Sequence, residues 1–256
     1  DTLTIVGASY APNVISIAQD PLTGEVVITL AGPSPSEVRL AAIEDLILDF
    51  TNGNQNNNVT IGPLELTAID DTTIVINGGG GNDTFDGSAT NKALRMFGGG
   101  GNDILKGGSL NDLIEGGAGA DNMDGGGGSN TVSYLTSPTG VTVDLSTNSV
   151  SGGDADGDTI ANFQGVLGSQ YDDTIKGDAG INVIDGAGGD DMIEGGAGGD
   201  LLSGGAGIDT AIYNGAAAVT VNLASFSGTG GDAAGDILVL VENLIGTGLA
   251  DDLTGD

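Results

Sequence analysis

Large apolar residues recur every nine positions through two stretches of the chain. Leu105, Ile114, Met123 and Val132 fill the eighth place of four consecutive units, GGGGNDILK, GGSLNDLIE, GGAGADNMD and GGGGSNTVS, from Gly98 to Ser133. A second run, residues 168–212, reads GSQYDDTIK, GDAGINVID, GAGGDDMIE, GGAGGDLLS and GGAGIDTAI, with Ile175, Ile184, Ile193, Leu202 and Ala211 in the same place. The shared pattern is G-G-x-G-x-D-x-U-x, where U is large and apolar: six residues of turn, then three of strand. A three-residue strand cannot bury its apolar side chain alone. Stacked on its copies at about 4.8 Å, it forms a parallel sheet with a continuous ladder of U residues. Two units then make one turn of about 18 residues, with a sheet on each side. Glycine permits the sharp turns, some at φ > 0, that point carbonyl oxygens inward.

The pattern extends beyond these runs. GGGGNDTFD at 78–86 opens the first block, followed by a degenerate unit, GSATNKALR at 87–95, and two extra residues, Met96 and Phe97. Lys92 stands in the degenerate unit where Asp belongs, and the spacing stacks it on Asp112 as an ion-free pair. A third block begins with GTGLADDLT at 246–254. Between blocks, VTVDL at 141–145 and GGDADGD at 152–158 return as VTVNL at 219–223 and GGDAAGD at 230–236, a second, longer repeat. Residues 1–77 hold no nonapeptide, only short β-rich runs: Leu3–Val6, Val14–Ile17, Glu25–Leu30, Leu46–Phe50, Val59–Ile61 and Thr73–Ile76. Asn, Gly and Pro separate them, and the stretch from Ile43 to Leu48 could alternatively form a helical turn.

These signals predict an all-β chain, a right-handed parallel β-roll or β-solenoid. Its expected parts are a solenoid-like start (1–77, with a small separate sandwich as the alternative), a first roll (78–133), an extended rung (134–167), a second roll (168–212), a second rung (213–245) and the start of a third roll (246–256). The chain begins at Asp1 and ends inside a unit, so it is expected to be a piece of a longer array.

Composition narrows the function. Acidic residues outnumber basic ones 36 to 5, for a net charge of −31. So negative a chain repels itself when compact unless something cancels the charge. Nucleic acid and anionic membrane surfaces need a basic face that it lacks, and no apolar run is long enough to span a bilayer. With no Cys and no His, disulfides, the usual catalytic nucleophiles and soft metal ligands are all missing. Acidic pairs such as Asp190–Asp191 could suggest glycosidase chemistry, but one member of each is a motif Asp. What remains is an oxygen-only cage of carbonyls and carboxylates, which suits a hard cation, typically Ca²⁺. No catalytic site is expected.

The nonapeptides resemble the RTX ("repeats in toxin") modules of secreted bacterial proteins. That resemblance implies calcium ions held between each unit and the unit two further on, by both Asp carboxylates and by loop carbonyls. The implied pairs are Asp83 with Asp103, Asp103 with Asp121, and Asp112 with Asn130 in the first block. In the second they are Asp173 with Asp191, Asp191 with Asp209, and Asn182 with Asp200; Asp251 opens the third. Carbonyls of Gly78, Gly80, Gly98, Gly100, Gly116, Gly186, Gly188, Gly195 and Gly204 would complete the shells. The loop Asp154-Ala-Asp156-Gly-Asp158 and its copy suggest an accessory site on the outer carboxylates, Asp154 with Asp158 and Asp232 with Asp236; an EF-hand is excluded because position twelve has no Glu. The implied function is an extracellular, calcium-dependent structural array (an adhesin stalk, surface layer or filament) that folds after type I-like secretion and contacts further copies or neighbouring repeats. The alternative is the C-terminal secretion and folding module of a larger RTX exoenzyme or toxin.

Overall fold

The structure, a computed structural model, describes residues 2–6, 14–19, 26–31, 36–40, 45–51, 53–62, 64 and 73–255. The chain divides into two compact units, Asp1–Asn130 and Thr131–Asp256. Strands dominate both.

In the first unit, Thr2–Val6, Asp45–Asp49, Thr73–Gly80, Ala93–Gly100 and Leu113–Ala118 lie side by side in parallel. A second parallel set holds Val14–Gln19, Asn58–Ile61, Thr84–Asp86, Ile104–Lys106 and Asn122–Asp124. From Asn58 onward successive strands alternate between the two sheets, so the chain winds. Phe85, Leu105 and Met123 stack in register with no side-chain exposure. Each such burial contributes about 1.5–3 kcal/mol. Two antiparallel strands, Val26–Ala31 and Ser36–Leu40, extend the second sheet at its edge. The last of these, SEVRL, carries two charges in five residues and gives no strand pattern to a sequence reading. Asp45–Asp49 is strand, not helical turn, with Leu46 and Leu48 buried; Ile43 and Glu44 lie outside the described residues.

The degenerate unit departs from the sequence reading in register. Met96, not Leu94, pairs with Ile114, and Gly99 stays level with Gly79 and Gly117. The two extra residues are thus absorbed into an eight-residue strand, Ala93–Gly100. An insertion of two preserves the inward alternation, so Leu94 and Met96 are both buried. The consequence is that Leu94, not Lys92, donates its backbone N–H to Asp112 Oδ1, at 2.7 Å. Lys92 does not hold the Asp position in this ladder.

In the second unit, Thr131–Ser133, Gly165–Leu167, Val183–Asp185, Leu201–Ser203 and Ile237–Val239 are parallel neighbours. The companion set is Thr142–Asp144, Thr174–Lys176, Met192–Glu194, Thr210–Ile212 and Asn243–Ile245. Each long rung adds a hairpin, Thr142–Asp144 with Ser149–Ser151 and Thr220–Asn222 with Ser227–Thr229. The two copies make the same next pairing, Thr142 with Thr174 and Thr220 with Asp252. Tyr213, Val219, Val221, Leu223, Ala233 and Leu238 form the buried cluster of the second rung.

Candidate metal sites

The turns are fixed by residues that stand at positive φ in the second and fourth motif places. They are Gly79 and Gly81, Gly99 and Gly101, Gly117 and Gly119, Gly126 and Gly128, Gly196 and Gly198, and Gly205 and Gly207. Unit 186–194 has Ala187 at φ 72 and Gly189 at φ 110 in these places. An L residue there costs roughly 1–2 kcal/mol, which shows how firmly the loop imposes the shape.

The first glycine of each unit leaves room that a side chain would fill. A Cβ on Gly78 would overlap both Asp83 Oδ2 and the Gly98 carbonyl oxygen. On Gly98 it would meet Asp103 Oδ2 and the Gly116 carbonyl, and on Gly186 Asp191 Oδ2 and the Gly204 carbonyl. A carboxylate from one unit and a carbonyl from the unit two further on therefore share one space. The Gly195 carbonyl stands likewise beside Asn182 Oδ1. Gly80, Gly100 and Gly188 lie in the stacked turns, Gly80 paired with Gly100 and Gly188 with Ala206.

All six ligand pairs of the sequence reading are brought together, each by one hydrogen bond. The backbone N–H of Asp83 donates to Asp103 Oδ1 (2.7 Å), Asp103 to Asp121 (2.8 Å) and Asp112 to Asn130 (2.9 Å). In the second unit Asp173 donates to Asp191 (2.8 Å), Asp191 to Asp209 (2.9 Å) and Asn182 to Asp200 (2.9 Å). Oδ1 is thereby used within the protein. The Oδ2 atoms of Asp83, Asp191, Asp200 and Asp209 are buried and accept no hydrogen bond. A buried carboxylate oxygen without a partner is costly, and burial accordingly raises the Asp83 carboxyl to about 6 and the Asp191 carboxyl to about 7. Burial likewise raises Asp112, Asp173, Asp200 and Asp209.

Other motif residues are already satisfied. Asp112 Oδ2 accepts from Gly108 N–H at 2.6 Å. Asp173 accepts from Ser169 N–H at 2.6 Å and from its hydroxyl at 2.8 Å. Asn182 Oδ1 accepts from Asp178 N–H at 2.9 Å, and Asp251 from the Thr247 hydroxyl at 2.9 Å. The accessory site is a correction. Asp236 is a buried ladder member, with Oδ1 taking Asp200 N–H at 2.9 Å and Oδ2 the Tyr213 hydroxyl at 3.1 Å. Burial raises its carboxyl to about 6. Asp158 Oδ2 similarly takes the Tyr134 hydroxyl at 3.2 Å, and Asp154 N–H donates to Ser137 Oγ. With both Asp236 oxygens engaged, Asp232 lacks the partner the reading gave it, and the Asp158 carboxylate reaches a tyrosine as well.

Two sets of residues escaped the sequence reading. The fifth motif place carries a second ladder of opposite sense: Asn102 N–H donates to Asn82 Oδ1, Ala120 to Asn102, Asp190 to Asp172 and Ile208 to Asp190. The recurrence of Asn and Asp in that place was the available signal. Asn57 is the other. Its Nδ2 donates to Asp83 Oδ1 at 2.9 Å and to the Gly78 carbonyl at 3.3 Å, beneath the first nonapeptide turn.

Among the described residues no three acidic side chains gather at one point, so the donor set is carboxylate plus main-chain carbonyl. Hard oxygen donors of this kind, with unpaired buried carboxylate oxygens beside them, fit a calcium ion. The chain was also compared with known proteins. The family model of the RTX calcium-binding nonapeptide repeat matches four copies, at residues 75–91, 97–132, 167–202 and 177–211. No curated protein matches the chain.

Proposed function

The chain carries RTX calcium-binding nonapeptide repeats, and from that premise we propose that it is an extracellular structural array that folds on binding calcium after secretion. RTX nonapeptides bind calcium. The observation that carries the reading is the set of buried, unpaired Oδ2 atoms on Asp83, Asp191, Asp200 and Asp209. Asp83, Asp191 and Asp209 stand in the ladder pairs named above, where a divalent cation would neutralise two turns at once. The first-place glycines keep that space open, and the stacked carbonyls supply the remaining oxygens.

In such a chain, ion binding free energy is folding free energy. The 36 acidic residues against 5 basic ones oppose collapse until they are neutralised. Extracellular calcium modules are tuned to about 10⁻⁴–10⁻³ M, so a chain of this kind stays open inside a cell and closes outside it. No helix among the described residues is long and apolar enough to cross a membrane. We assign the array a structural, non-catalytic role, in contact with neighbouring repeats or further copies. Small-angle scattering across a calcium series tests this: an expanded chain in chelator should contract with a midpoint near that range. A midpoint below about 1 µM, or no contraction, contradicts folding after export.

A further inference from the structure

Not every motif loop is built to hold a cation. Seven units place their second and fourth residues at positive φ: 78–86, 98–106, 116–124, 125–133, 186–194, 195–203 and 204–212. Units 107–115, 168–176 and 177–185 place no residue there. The cause lies in the sequence. Leu110 and Tyr171 occupy the fourth place, where a Cβ disfavours the left-handed region. In unit 177–185 the Asp178 side chain folds the turn by accepting from Gly180 N–H at 2.7 Å. In each of these three loops the second residue then turns its N–H onto the unit's own carboxylate or amide: Gly108 to Asp112, Ser169 to Asp173, Asp178 to Asn182.

We infer that calcium enters only between loops of the first kind, and that elsewhere hydrogen-bond donors of the chain itself take the cation's place. This rests on the calcium reading above and says which parts of the ladder it applies to. The pairs in which both loops are open are Asp83 with Asp103, Asp103 with Asp121, and Asp191 with Asp209. In the first unit every such pair belongs to one ladder, that of Asp83, Asp103 and Asp121. The other ladder, Leu94, Asp112 and Asn130, has only the Asn130 loop open, so it offers no open pair and takes none. The ends of the ladders are closed by chain donors too: Asn57 Nδ2 beneath Asp83, the Tyr213 hydroxyl on Asp236 and the Thr247 hydroxyl on Asp251. An N–H or O–H aimed at a buried carboxylate oxygen offsets its desolvation without an ion. Asp200 has an open loop but stands between Asn182 and Asp236, neither of which lies in one, so it forms no open pair.

The test uses the whole chain crystallised from calcium chloride, with calcium located by anomalous scattering. Peaks between the three open pairs, and none beside Asp112, Asp173 or Asn182, are expected. Calcium between Asp173 and Asp191 or between Asp112 and Asn130, at occupancy equal to the rest, overturns the inference and leaves the calcium reading standing. Absence of calcium everywhere overturns both. A gain-of-site variant gives an independent arm: Ser169→Gly with Tyr171→Gly restores the open pattern in unit 168–176. Bound calcium, counted by mass spectrometry of the metal, should rise by one ion per chain, and an unchanged count in a folded variant contradicts the inference.

Discussion

Calcium binding should expel protons, most strongly in mildly acid buffer. Burial pushes the Asp83 carboxyl up to about 6 and the Asp191 carboxyl up to about 7, where the charges of Asp173 and Asp209 add to the effect. At pH 6 a group titrating at about 6 holds about half a proton, and one titrating at about 7 holds about 0.9. Ionising both on metal binding therefore releases about 1.4 protons at pH 6, but only about 0.1 at pH 8. The sign is opposite in the two states. Raised carboxyl values stabilise the metal-free fold fully below the unfolded value of about 3.9, and that contribution is lost as pH rises to about 6–7. The metal-bound fold needs these groups ionised, so calcium affinity weakens as pH falls through about 7 and 6. Isothermal titration calorimetry at pH 6, in two buffers of different ionisation heat, counts the protons. Asp191→Asn should lower the count by about 0.9. A binding heat independent of buffer at pH 6, or equal proton counts at pH 6 and pH 8, would refute the reasoning.

Two further outcomes follow from the geometry. Leu105→Ala removes a fully buried side chain held in register between Phe85 and Met123 and should cost about 3 kcal/mol in urea unfolding at saturating calcium; a loss under about 1 kcal/mol would mean the ladder is not the core. Gly98→Ala puts a Cβ against Asp103 Oδ2 and 2.5 Å from the Gly116 carbonyl oxygen, and should abolish binding at that loop. Gly100→Ala, whose Cβ would meet only the Gly79 carbonyl oxygen at 3.9 Å, should leave it intact, and equal losses from the two would contradict the cradle.

Much of this was legible because the nonapeptide repeat fixes two things at once. The U positions set the sheet faces, so the stack of Phe85, Leu105 and Met123 can be read from spacing, and the Asp positions set the ladder whose pairs the family resemblance implied. Register is less legible where a unit is degenerate. Met96 and Phe97 could be placed in the turn or in the strand, and only the stacking of Gly99 on Gly79 and Gly117 decides it. Hydrogen-bond competition is harder still. Whether Asp173 faces a cation or the Ser169 N–H depends on the backbone of one loop, and the sequence trace is Tyr171 in the fourth place, which every open unit fills with glycine. The Tyr213–Asp236 contact joins residues 23 apart with no local pattern to mark it. The edge strand Ser36–Leu40 was missed because antiparallel pairing with Val26–Ala31, rather than its own composition, makes it a strand.

The most direct measurement of the central claim is far-ultraviolet circular dichroism of the chain during a calcium titration from a chelated start. The account predicts little β signal and no cooperative melt in chelator, with both appearing together as calcium rises. A chelated chain that keeps its full β signal and melts at the calcium-bound temperature would contradict it.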